Sequence, residues 1–212
     1  MEINLIDEIR LDNDWRTKDV AKMKMTYSQL PEENRGFFLR LCVPMIYAHW
    51  EGLVVSSLTS LIKGLNRSKL SHSNVPIKLF VLSVGEKFKR LQSNQSLEQR
   101  CDFTQTFFDR LNNHLTFEKK VNTKSNLNYK VLGELCNVFL LDVEDFSKYE
   151  NDLDRLVDIR NKIAHGENAY LFELPQIEKY FELLENICEI FLNNIEKFIT
   201  QKRFEEPITN TA

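Results

Sequence analysis

The chain has 212 residues, 42% of them hydrophobic, which suffices for one domain with a substantial core. A formal net charge of −3 excludes a generally basic nucleic-acid coat, so any RNA contact has to come from a local patch. Six Gly and five Pro among abundant Leu, Glu, Lys, Asn and Phe argue against a turn-rich sheet and for long helices.

Uncharged apolar runs fall well short of the roughly 20 residues that cross a bilayer, so no membrane span is expected. MEINLIDEIR opens with an acid rather than the charged-then-apolar pattern of a signal, which makes the cytoplasm the expected address. Cys42, Cys101, Cys136 and Cys188 form no CxxC pair and sit beside apolar neighbours, so they read as small buried residues. His49, His72, His114 and His165 show no HExxH or other ligand spacing, and neither GxGxxG nor a phosphate loop occurs. No metal and no cofactor is expected.

Residues 3 to 27 read as a helix interrupted near Asp12 to Asp14, with Lys18, Lys22 and Lys24 on a solvated face. A stronger helix opens at Pro31, Glu32 and Glu33 and keeps helical spacing to about Gly64, with Pro44 inside it expected to kink it. Residues 66–74 form a polar loop, and 76–91 a helix with a basic end at Lys87, Lys89 and Arg90. Ser96 caps a further helix whose apolar stripe is Phe103, Phe107, Phe108 and Leu111, read as core. The stretch 117–129 gathers Lys119, Lys120 and Lys124 in an exposed loop or short ribbon, its lysines read as solvated. Val131 to Leu141 is a short buried helix, a strand being the alternative. From Pro175 to about 201 runs the cleanest amphipathic pattern in the chain, packed beside the helix before it, and 202–212 is expected to be a disordered tail.

The helix before it carries the candidate site. Leu153, Leu156, Val157, Ile163 and Ala164 make one apolar face of LDRLVDIRNKIAHG, into which Arg160, Asn161 and His165 are set. Such donor-rich groups are costly beside a buried face unless they find partners. At about 100° per residue, Asn161 and His165 lie about 40° apart and Arg160 about 140° from His165. Gly166 suits a left-handed helix end, which places His165 in the last turn with room to titrate. Residues that near the helix end contribute little to a core, so substituting Arg160 or His165 is expected to cost about 0–1 kcal/mol.

RNKIAHG at 160–166 resembles the RNxxxH signature of HEPN-domain proteins. A second resemblance is IYAHWEG at 46–52, similar to the AHWE-like early helix of one stand-alone branch of that superfamily. The resemblance implies an all-α antiparallel helical bundle over residues 1–201, a single domain in which 66–130 is partly an insertion with additional helices. It implies a metal-independent endoribonuclease, acting as a toxin or phage-defence effector held in check by an antitoxin or other inhibitory protein. In the family's ribonucleases two copies of the motif meet across a homodimer. Arg160, Asn161 and His165 would then be catalytic, with Asn161 orienting His165 or a phosphate oxygen. His49, Glu51 and Lys162 would bind substrate. From the residues alone, Trp50 reads as core and His49 as a hydrogen-bonding partner of a neighbouring helix in preference to a site role. The alternative function is a non-catalytic helical adaptor that binds a nucleotide or a protein.

Overall fold

The computed structural model describes residues 3–85, 96–167 and 170–206, which form seven α-helices and no strand among them. The helix α1 (Ile3–Gln29) is unbroken, contrary to the expected interruption at Asp12–Asp14. Local hydrogen bonding explains this: Asn13 Nδ2 donates to the Ile9 carbonyl at 2.6 Å, and Arg16 Nη1 donates to Asn13 Oδ1 at 2.8 Å. The polar run therefore decorates the helix instead of ending it.

The chain turns at Leu30 and Pro31 into α2 (Glu32–Arg67), which continues through Pro44. This is the hub of the bundle, with Val43, Ile46, Trp50, Val54, Leu58 and Leu61 fully buried. By length and composition α2 could cross a membrane, but more than half of that stretch is buried inside the fold. Burying a Leu, Ile or Phe side chain is worth about 1.5–3 kcal/mol, so this one helix carries a large share of the core.

The segment after α2 forms a side lobe. There α3 (Ile77–Val84) ends at Gly85, whose φ of 64° favours glycine. The expected basic end at Lys87, Lys89 and Arg90 lies outside the described residues. A capping box of Ser96 and Gln99 starts α4 (Leu97–Asn112), as its sequence predicts. Its phenylalanines are core only in part, because α4 leans on α3 and little else: Phe103 and Phe107 are partly buried against the core. Phe107 meets Phe80 edge-on at 5.5 Å, while Phe108 is 53% exposed. The stretch 113–128 is a loop rather than a ribbon, pinned by buried Leu115, Phe117 and Leu127 and by two hydrogen bonds between Asn66 and the Phe117 backbone.

Asn128 caps α5 (Tyr129–Val138), which settles helix over strand for that segment. A 3₁₀ segment (Val143–Tyr149) leads into α6 (Glu150–Ala164), and the last helix is α7 (Leu174–Thr200). Trp50 packs between Phe146 and Phe191, at 6.3 and 5.9 Å between ring centroids, so it is a core residue. Arg10 pairs with Glu196 and Lys24 with Glu185, which sets α1 antiparallel to α7. Both α6 and α7 pack chiefly on α2, and they face each other across a groove lined by Tyr149, Asp152, Arg155, Phe172, Tyr180 and Leu183.

Two further expectations are corrected. Cys42 and Cys136 are buried, but Cys101 is exposed on the outer face of α4. The first residues of the expected tail are packed: Phe204 is 3% exposed against Phe198, and Arg203 makes a two-pronged ion pair with Asp142 at 2.9 Å. That hydrogen-bonded guanidinium holds the Asp142 carboxyl below its ordinary range. Positions 207–212 lie outside the described residues.

Candidate functional site

The motif helix α6 buries Leu153, Leu156, Val157 and Ile159 on α2 and leaves its last turn at the surface. Arg160 and Asn161 are half-buried. The guanidinium lies over the Tyr47 ring of α2, with Cζ 3.8 Å from the ring centroid. Its Nη1 donates to Asn161 Oδ1 at 2.7 Å and its Nη2 to the Ser125 carbonyl at 3.0 Å, while Nε is buried without a partner. Asn161 in turn donates through Nδ2 to Asn126 Oδ1 at 2.7 Å. Arg160 and Asn161 thus form one unit that grips the loop before α5.

That loop is held in an unfavourable conformation. Lys124 and Ser125 have φ values of 57° and 53°, and each non-glycine residue in that region costs about 1 kcal/mol. The turn persists because its surroundings fix it. Leu127 N–H donates to the Tyr47 hydroxyl at 2.9 Å, and Thr123 donates to Glu51 Oε1 at 2.6 Å. The Tyr47 hydroxyl also hydrogen-bonds Glu51; burial, and then this carboxylate, push the Tyr47 pKa up, against the opposing pull of the Leu127 N–H and Arg160.

His165 belongs to a different environment. It is the last residue of the helix end, with φ −84°, and its backbone N–H still donates to the Asn161 carbonyl at 2.9 Å. Gly166 follows with φ 84°, as its sequence predicts, and Gly166 and Glu167 N–H close the end onto Ile163 and Lys162 carbonyls at 3.0 Å. The imidazole is exposed, and among the described residues it makes no hydrogen bond or ion pair. Asn161, expected to orient His165 or a phosphate oxygen, bonds Arg160 and Asn126 through its side chain and not His165.

The three residues expected to bind substrate separate. Lys162 is near the motif but is paired with Asp158 at 2.7 Å; that bond, and contact with Tyr170, hold its ammonium more firmly charged. Glu51 is tied up beneath the loop with Thr123 and Tyr47. His49, two residues from Tyr47, points away: at 3% exposure it faces Trp15 and Arg16 of α1, with ring centroids 5.4 Å apart from Trp15. A spacing of two turns a helix position by about 200°, so Tyr47 and His49 have to serve opposite faces. Tyr47, Ser125 and Asn126 were not singled out from sequence. Their signals were Tyr47 one turn before Glu51, and an Asn-rich loop read only for its lysines.

No group of three or more His, Cys, Asp or Glu side chains able to hold a metal ion occurs among the described residues. What one copy offers is a fixed guanidinium and, one turn on, a free imidazole. An all-α bundle built on a central helix, with RNxxxH closing one of its helices at the surface, defines a class of protein. Residues 11–199 match the family model RiboL-PSP-HEPN, and the chain belongs to that family. No curated protein and no solved structure matches the chain. HEPN domains are often ribonucleases.

Proposed function

We propose that the chain is a metal-independent endoribonuclease, working in the cytoplasm as a toxin or phage-defence effector under the control of an inhibitory protein partner. The observation that carries this reading is the uncommitted, solvent-facing imidazole of His165, set one turn beyond a fixed Arg160–Asn161 pair in a chain of the HEPN family.

Cleavage without a hydrolytic metal needs a base for the ribose 2′-OH, an acid for the departing 5′-oxygen, and cationic donors for the phosphorane. His165 supplies one proton-transfer group, and the other imidazole near this end of α2, His49, faces the opposite side. A two-fold dimer presenting two His165 and two Arg160 to one groove completes the set. The 2′-oxygen bonds to phosphorus as its proton passes to one imidazole. The phosphorus–5′-oxygen bond breaks as the second imidazole protonates the leaving oxygen, giving a 2′,3′-cyclic phosphate and a 5′-hydroxyl. Arg160 offers charge through its planar fork, although Ser125 and Asn161 already occupy two of its donors.

Those same commitments favour a second reading, in which Arg160 is purely structural and the chain is an adaptor that binds a nucleotide or protein. One experiment separates the two. Wild type and His165→Ala are incubated with total RNA and excess chelator, products are tested for cyclic phosphate ends, and light scattering reports the oligomeric state. Cleavage by a dimeric wild type alone supports the nuclease, and equal behaviour of the two proteins supports the adaptor.

A further inference from the structure

On the face of α2 turned away from the motif, α1, α2 and α7 enclose a cavity of about 350 Å³, at the lower end of the range of small-ligand pockets. Val20, Leu53, Leu184 and Leu192 give it an apolar wall. Arg16 and His49 line it as well, and Arg16 Nε and His49 Nε2 are each buried with no hydrogen-bond partner. Leaving a buried donor unpaired costs about 1–3 kcal/mol, and more for a charged group, so native folds hold few of them. Two on one cavity call for a shared acceptor.

The placement of Arg16 is itself built. Its Nη1 is held by Asn13 Oδ1 at 2.8 Å, and the guanidinium lies against α2 where Gly52 has no side chain. A Cβ at position 52 would meet Arg16 Nη2 at 3.0 Å and Nε at 3.5 Å. The words AHWEG therefore serve three ends: Trp50 fills the core, Glu51 backs the motif loop, and His49 and Gly52 shape this cavity.

The charge around the cavity narrows the ligand. Asp14, Glu185 and Glu189 also line it, and although Glu185 pairs with Lys24 and Glu189 lies 3.9 Å from Arg10, three carboxylates repel a polyanion. Burial, and the nearby Arg16, push the His49 pKa down against the pull of Asp19, so at neutral pH its ring offers one neutral N–H. Arg10 lines the cavity too but is engaged by Asn193 and Glu196 at 3.1 and 2.8 Å, which leaves the positive charge of Arg16 to be answered. We propose that this cavity binds a small organic monoanion, a carboxylate whose head accepts hydrogen bonds from Arg16 and His49 and whose short apolar body lies along Val20, Leu53, Leu184 and Leu192.

Sodium hexanoate is the probe, with 1-hexanol and inorganic phosphate as controls. Binding is followed by calorimetry and by emission of Trp15, whose ring lies beside both His49 and Arg16. The wild type should bind hexanoate saturably, hexanol more weakly and phosphate not at all. Arg16→Met should weaken hexanoate about ten- to a hundredfold, the worth of a lost charge-assisted hydrogen bond. Gly52→Ala keeps every charge, suits a helix better than glycine, and should weaken binding by displacing the guanidinium, so it serves even if Arg16→Met fails to fold. The site is overturned if hexanoate does not saturate the wild type, if hexanol binds as well, or if Gly52→Ala binds hexanoate unchanged. Tighter binding of phosphate than of hexanoate overturns the assignment to a carboxylate.

Discussion

Two consecutive turns of α6 meet opposite fates. In the first, Arg160 and Asn161 are stacked, hydrogen-bonded and half-buried against Tyr47 and the loop at 125–126. In the second, His165 is exposed and engages nothing by its side chain. A pair held to its surroundings by three contacts is a strut as well as a charge; a side chain held by none is free to meet a substrate. The difference teaches that the motif does not read as three equivalent catalysts, and that substituting its members should give unlike results.

The largest contrast is between His165→Ala and Arg160→Ala. His165→Ala should slow RNA cleavage by about 10²- to 10⁴-fold, the contribution of a positioned acid–base group, while thermal stability stays within about 0.5 kcal/mol of wild type. Arg160→Ala should also abolish cleavage, but with a loss of about 1–3 kcal/mol in denaturant unfolding, because the Ser125 and Asn161 bonds and the Tyr47 stack go with it. The near-zero cost expected of Arg160 from its place at the helix end is therefore revised. Equal melting curves for the two variants would erase the contrast.

Next in size is Tyr47→Phe. It strands the Leu127 N–H and frees Glu51, and should cost about 1–2 kcal/mol. Cleavage should fall less than in either motif variant, since Arg160 keeps an aromatic face to lie on. Tyr47→Phe protein as stable as wild type would mean that the loop is fixed without it. A smaller effect follows for Gly166→Ala. An L-residue at φ 84° costs about 1 kcal/mol, so the helix end should loosen and cleavage drop through misplacement of His165. Amide exchange at Gly166 and Glu167 would register the loosening, and unaltered protection there would count against it.

The smallest effect lies on the opposite face of α2 and sharpens the comparison by leaving the motif alone. His49 has a folded pKa below its ordinary 6.5, so in the window between the two the unfolded chain binds a proton that the folded chain does not. Stability should decline as pH drops below about 6.5 and be insensitive to this group above it. His49→Gln should flatten that part of the curve of unfolding midpoint against pH. An unchanged slope in His49→Gln would show that another group carries it.

Much of the site was legible in the sequence because helical period and capping are local. The spacing of Leu153, Leu156 and Val157 fixes which way α6 faces, and Gly166 ends it one residue after His165. The capping box at Ser96, the cap at Asn128 and the span of α7 follow from the same short-range rules. What the sequence does not carry is a partner far along the chain. The resemblance assigns Asn161 to His165 or a phosphate oxygen, while its side chain bonds Arg160 and also Asn126, 35 residues away. The likeness of AHWE groups His49 with the motif, and only the packing of α1 on α2 shows that its ring points elsewhere.

The sequence by itself determined the class of fold, the position of α6 and its end, and the identity of the groups able to move a proton or hold a charge, since these depend on residue type and on neighbours within a turn or two. Tertiary structure alone decided which of those groups are committed and which are free. Loop closure brings Ser125 and Asn126 under α6, and the packing of α1 against α2 encloses Arg16 with His49. Such meetings rest on contacts between residues 33 or more positions apart, and no periodicity in the chain encodes them.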